Sequence, residues 1–269
     1  MSNSIGSRIK ALFSSGKSAP AGAPPDDVRL RAEAGDAEAQ NTLGRWYSDN
    51  TADRAVARVW FTRAAEQGFL RAKHNLGVLA LQAGQRDEAA EWFLAAAEEG
   101  WTPSLAAIGA VFEGEGNLPG ALKFYELAAE DGHAEAQDAL GRLLLADDDP
   151  ELYETARSWS QKAAEQGLAA AQTRLGTIYH EGLGVDRDPE LSVFWFLSAA
   201  RQGHAGAQAM TGVALHLGVG IAADRVEAAF WLTRSKAQGN EIGRVYLPEV
   251  ERELTAEERR GLKVRLQQA

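Results

Sequence analysis

One nine-residue segment recurs six times along the chain, and that recurrence limits the fold more than any single residue does. An aromatic residue is followed by three spacers, usually a pair of alanines, two more spacers and a glycine. The copies are WFTRAAEQG ending at Gly68, WFLAAAEEG at Gly100, FYELAAEDG at Gly132, WSQKAAEQG at Gly167, WFLSAARQG at Gly203 and WLTRSKAQG at Gly239. The last departs from the others, with Ser-Lys in place of Ala-Ala. Successive glycines are 32, 32, 35, 36 and 36 residues apart. A second pattern follows Gly35 and the first five of these glycines. It has a small residue four positions on and usually an apolar-Gly pair at eight and nine, as in Ala39, Leu43, Gly44 and Ala171, Leu175, Gly176. Linked motifs at a period of roughly 20–50 residues mark a repeat protein, in which each copy buries its apolar face only by stacking on its neighbours.

Each copy reads as two helices. Ala57, Trp60, Phe61, Ala64 and Ala65 are spaced three and four apart, which is helical rather than strand periodicity. Ala171, Leu175 and Tyr179 step by four and define one stripe on the preceding helix. Gly68 and its counterparts stand just past the last periodic residue, where glycine adopts a left-handed cap without steric cost. The alanine pairs and the glycine after the leucine allow close helix approach, and the repeat Trp fills the space left over. By this spacing Trp60, Trp92, Trp159, Trp195 and Trp231 are core residues. Late in the chain the interhelix loop is Gly-x-Gly: Gly182, Gly184, Val185, Asp188 and again Gly218, Gly220, Ile221, Asp224. A phosphate-binding reading would need a preceding strand, and none is visible. The glycines are better read as turn residues, Val185 or Ile221 as a core plug, and the Asp as the cap of the next helix.

The pattern LG-x-x-Y, then G-x-G-V-x-x-D, then W-x-x-x-AA-x-x-G resembles the Sel1-like repeat, a relative of the tetratricopeptide repeat. It is nearly complete in LGTIYHEGLGVDRDPELSVFWFLSAARQG and extends over about residues 26–247. The resemblance implies an all-α, right-handed α-α superhelix of about six hairpins that works as a protein-interaction scaffold or adaptor. Some bacterial members are secreted, cysteine-rich and linked to penicillin binding. This chain has no cysteine, so that branch is not carried over, and disulfides, thiolate catalysis and cysteine zinc sites are excluded.

The remaining composition narrows the function classes. The chain has 269 residues, 28 Lys+Arg, 38 Asp+Glu and a net charge of −10, against the basic footprint of a nucleic-acid binder. No run approaches the roughly 18 apolar residues of a membrane span, and no apolar secretion signal stands at the start. The expectation is a cytoplasmic, non-enzymatic protein that needs no cofactor, with a protein or peptide partner and no small-molecule substrate. Two alternatives stay open, a peripheral membrane adaptor and a hydrolase or cell-wall-acting protein. Ile5, Ile9, Leu12 and Phe13 share one helical face, and residues 1–25 carry three positive charges and no negative ones. That segment suits an anionic membrane, a partner groove or an unstructured tail before the SSGKSAPAGAPP linker. Residues 26–34 read as a half-unit with N-cap aspartates. Pro248 ends the repeat pattern, and Thr255 with Glu258 starts a terminal capping helix within 248–269.

Counted from the preceding glycine, positions 4, 8 and 12 of each first helix fall within about an 80° arc, the core side. Positions 6, 10 and 13 lie opposite, and by analogy with tetratricopeptide stacking they line a concave groove. This face offers Arg45, His74, Val78, Leu81, Ala110, Arg142, Thr177, His180 and His216 as candidate partner-binding residues. The arginines suit the carboxylates of an acidic partner. Trp101, which begins a first helix before Pro103, is a candidate exposed aromatic anchor. His133 and His204, just after repeat glycines, read as surface or capping residues. His180, His216 and Glu181 lack the His-Glu-x-x-His spacing of a zinc site, and no metal or catalytic group is assigned.

Overall fold

The computed structural model describes residues 24–50 and 53–268. The segment with Ile5, Ile9, Leu12 and Phe13, and the alternatives attached to it, lie outside them. Among the described residues there are fifteen α-helices and no strand. Helix α1 (Asp26–Glu33) is the expected half-unit. Six hairpins follow: α2 (Ala37–Asn50) with α3 (Arg54–Glu66), α4 (Leu70–Gln82) with α5 (Arg86–Ala97), α6 (Thr102–Gly114) with α7 (Leu118–Glu130), α8 (Ala134–Ala146) with α9 (Tyr153–Glu165), α10 (Ala169–Glu181) with α11 (Pro189–Arg201), and α12 (Ala205–Leu217) with α13 (Arg225–Ala237). Helices α14 (Glu241–Glu253) and α15 (Ala256–Gln267) close the chain. The framework divides into two compact units, one up to Phe124 and one from Tyr125 onward.

The repeat glycines end the second helices as expected. Gly68 has φ +80°, its amide donates to the Ala65 carbonyl at 2.9 Å, and the Phe69 amide donates to Ala64 at 3.1 Å. These two bonds satisfy carbonyls that the helix leaves open. The Gly-x-Gly loops also match: Asp188 and Asp224 accept from the Leu191 and Glu227 amides at 2.9 Å. Val185 and Ile221 pack against the cores beside them. The turn between α8 and α9 differs, with Asp148 at φ +52° and a short 3-10 turn at Pro150–Leu152.

Three expectations need correction. The first concerns the tryptophans. Trp60 and Trp231 are buried, but Trp92, Trp159 and Trp195 are half-buried. The deepest slot belongs to the next residue, Phe61, Phe93, Ser160, Phe196 or Leu232, which faces the glycine of the first helix. An added Cβ on Gly176 would lie 2.7 Å from the Phe196 ring, so the missing side chain is what seats that ring. The second concerns α1, whose N-cap is Pro25. Asp26 and Asp27 lie in the first turn, where they meet the positive end of the helix dipole. The third concerns Pro248, which sits inside α14. Buried Leu247 and Val250 on either side hold the helix despite the lost amide. Gly243 and Leu247 fall four and eight residues after Gly239, so α14 occupies a first-helix position and α15 a second. The Thr255–Glu258 capping box is present.

A glutamine relay joins consecutive helices. Gln202 Nε2 donates to Gln172 Oε1 at 2.8 Å and to the Gly167 carbonyl at 2.9 Å, and Gln172 Nε2 donates to the Ala164 carbonyl at 3.1 Å. The same links join Gln166 to Gln137 and Ala129, and Gln238 to Gln208 and Ala200. In the α4–α5 hairpin the two positions become Lys73 and Glu99, which form an ion pair instead. The pairing was present in the sequence as two positions that change together. Changing Gln172 to Lys or Gln202 to Glu alone should cost about 1–3 kcal/mol, because either breaks the bond between Gln202 and the buried Gln172. The double change should recover much of that loss in urea unfolding, a coupling read by a double-mutant cycle.

Candidate functional site

Neighbouring hairpins use position 6 of the first helix to hold each other. Asn75 Nδ2 donates to Asn41 Oδ1 at 2.8 Å, Arg174 pairs with Asp138, and Thr173 Oγ1 meets His204 Nδ1 at 3.0 Å. His74 belongs to this seam. Its Nδ1 lies 3.0 Å from Ser104 Oγ and its ring centroid 5.2 Å from that of Phe93. It is therefore a packing residue rather than part of an open binding face. Val78 is likewise half-buried against the core formed by α4, α5 and α6.

Positions 10 and 13 are more open. In the first unit Arg45, Leu81 and Ala110 are exposed. In the second unit Arg142, Thr177 and His180 are exposed, whereas His216 is half-buried with its Nδ1 enclosed and without a hydrogen-bond partner. His180 Nε2 lies 3.7 Å from Glu181. His180 also borders an apolar trough of about 120 Å³ between α10, α11 and α12. Met210 and Val213 line it, with the exposed Leu217 and Val219 at its margin. Val219 is the middle residue of a Gly-x-Gly loop, and an apolar residue there was the one sequence signal for this trough.

Trp101 is not an open anchor. It caps α6, its Nε1 is enclosed without a partner, and the Arg71 guanidinium lies 5.4 Å from its ring centre. The cation on the ring takes up part of the surface that an exposed indole would offer, and the side chain is half-buried. Among the described residues no group of three or more His, Cys, Asp or Glu is placed to hold a metal ion. No helix among them is long and apolar enough to cross a membrane.

His133 and His204 cap α8 and α12, each accepting from a backbone amide through Nδ1 at 3.3 Å. Burial lowers the pKa of His204 below its usual 6.5. The unfolded chain thus takes up this proton before the folded chain does. The stability from neutral His204 is complete above pH 6.5 and is lost as the pH falls from there toward the lowered folded value. His204→Asn keeps a capping side chain, so its urea midpoint should fall less than that of the unmodified chain between pH 7 and pH 5.5.

With this geometry established, comparison decides the family. The profile described as Sel1 repeat matches six consecutive segments, residues 37–69, 70–101, 105–133, 134–168, 169–204 and 205–240. The chain belongs to the Sel1 repeat family. Five of the matched segments each contain one of the hairpins described above, and the third, 105–133, begins inside α6. Among solved structures it is similar to c5321, a protective antigen of uropathogenic Escherichia coli displaying an SLR fold. The two are 31% identical with a TM-score of 0.79 over 90% of this chain. That match covers 54% of c5321, so this Sel1 repeat chain spans about half of its relative. A Sel1 repeat protein from Oxalobacter formigenes is 24% identical with a TM-score of 0.65, covering 83% of this chain and 95% of that one. The Cut9–Hcn1 hetero-tetramer structure of the APC/C shares the fold at 15% identity and a TM-score of 0.54, over 91% of this chain and 52% of that one. No curated protein matches the chain.

Proposed function

We propose that this Sel1 repeat chain is a non-enzymatic scaffold that binds a protein partner through the exposed face of its first helices. The observation that carries the reading is the division of labour along those helices. Positions 4 and 8 are buried within a hairpin, and position 6 serves the seam between hairpins. At positions 10 and 13 the side chains of Arg45, Leu81, Ala110, Arg142, Thr177 and His180 are left to solvent, with Leu81 38% exposed. A stacked array offers such side chains from several helices at once with little ordering cost to the scaffold. The neighbouring Cut9–Hcn1 structure is itself an assembly of two proteins, which agrees with this use of the fold.

Two variants test the proposal, Arg45→Glu with Leu81→Glu and Ala110→Glu, and Arg142→Glu with Thr177→Glu and His180→Glu. Quantitative capture from the source cell, compared with the unmodified chain, should lose the same specific partner with at least one variant while the helical circular dichroism is kept. An identical captured set for all three proteins would remove the first-helix face from consideration.

A further inference from the structure

We propose a second binding site, a cationic cleft at the C-terminal end of the second unit that takes an acidic peptide with a large apolar residue beside its carboxylates. The cleft is open, has a volume of about 400 Å³ and lies between α11, α13 and α15. Its occupant is taken to be a peptide on the strength of the scaffold reading, but the cleft is built from second helices and shares no residue with the first-helix face.

Three arginines border it, Arg201 from α11, Arg234 from α13 and Arg265 from α15, against one carboxylate, Glu227. Arg265 already spends its charge, donating from Nε and Nη2 to Glu227 at 3.3 Å. Its guanidinium also lies 4.5 Å from the Phe230 ring centre, which fixes it over the cleft floor. Arg201 and Arg234 have no ion pair among the described residues, and the Arg234 guanidinium lies 5.6 Å from the Phe230 ring centre. In a chain with a net charge of −10, two unspent guanidiniums at one cleft are a local reversal of sign. Beneath them the floor is apolar, with Phe230 and Leu215 buried and Leu197 and Ile221 half-buried.

The unspent polar groups are therefore donors only, and the surface below them is hydrocarbon. The complement is an acceptor-only oxyanion attached to an apolar body. Arginine binds carboxylate oxygens in pairs through its planar fork, which gives direction as well as charge. An acidic side chain flanking a leucine or phenylalanine supplies both parts, and the openness of the cleft leaves room for the chain to continue on either side.

The experiment uses the full chain and a fluorescein-labelled peptide with the core Glu-Leu-Phe-Glu, followed by fluorescence anisotropy. A Gln-Leu-Phe-Gln peptide, the variant Arg201→Gln with Arg234→Gln, and unlabelled phenyl phosphate as competitor form the other arms. Binding of the acidic peptide should be about tenfold or more tighter than that of the glutamine peptide, and should weaken by a similar factor in the variant and with added salt. The Arg45→Glu, Leu81→Glu, Ala110→Glu protein should bind as the unmodified chain does. Equal affinity for the two peptides, an unchanged affinity in the arginine variant, or no saturable binding would overturn the inference. Phenyl phosphate binding more tightly than the peptide would replace it with a small-anion site. Loss of binding confined to the first-helix variant would also overturn it, yet leave the scaffold reading intact.

Discussion

Replacing Gly220 with alanine is expected to destabilise the second unit by about 2–5 kcal/mol. The added Cβ would come 2.1 Å from the Pro189 carbonyl oxygen and 2.5 Å from its carbon, atoms that belong to the backbone of the first turn of α11. A flexible side chain would swing away, but a helical carbonyl moves only with its helix. The residue also sits at φ +69°, which costs an alanine about 1–2 kcal/mol by itself. Overpacking adds about 1–3 kcal/mol. Gly218 in the same loop separates the two effects. It has the same φ of +69°, but its added Cβ would meet nothing nearer than Ala223 Cβ at 3.4 Å. Gly218→Ala should therefore show only the conformational share. Urea unfolding followed by circular dichroism at 222 nm compares them. Equal losses at the two positions would mean that the contact with Pro189 does not set the register of the loop against the preceding hairpin. A Cβ added to the equivalent Gly184 would come 2.8 Å from Tyr153 Cβ and 2.9 Å from the Glu154 amide nitrogen, so the same device recurs one hairpin earlier.

Phe196→Ala should cost about 3–5 kcal/mol and Trp195→Ala substantially less, although tryptophan is the larger residue. Phe196 is 2% exposed and rests against the bare Cα of Gly176, whereas Trp195 is half-buried at the edge of the adjoining core of α9 and α10. Truncating Phe196 empties space on a face that glycine cannot fill. Truncating Trp195 opens a site that water already reaches in part. A larger loss for Trp195→Ala would restore the repeat tryptophan as the principal core residue.

That pair shows where the sequence stops being informative. The helical period places both Trp195 and Phe196 near the buried stripe, about 50° to either side of its centre at 100° per residue. Which of them is covered depends on the helix packed opposite, and only the glycine nine residues after the repeat glycine hinted at the contact. Features that are complete within a short stretch were legible: the left-handed glycines, the Asp188 and Asp224 caps, the Thr255–Glu258 box and the capping histidines. His74 was misplaced for the opposite reason. Position 6 points away from its own hairpin, but the next hairpin's Ser104 stands there to meet it. Trp101 was read as open because nothing near it in sequence covers it, whereas Arg71 reaches it from the preceding first helix. The cationic cleft was beyond reach, since Arg201, Arg234 and Arg265 come from three helices and each alone is an ordinary surface residue.

Hydrogen exchange of the full chain, with and without its captured partner, tests the scaffold reading most directly. Added protection is expected in the segments carrying Arg45, Leu81, Ala110, Arg142, Thr177 or His180, in the C-terminal halves of first helices, with the second-helix cores unchanged. Protection absent from every first helix, or turnover of a substrate by the purified chain, would contradict it.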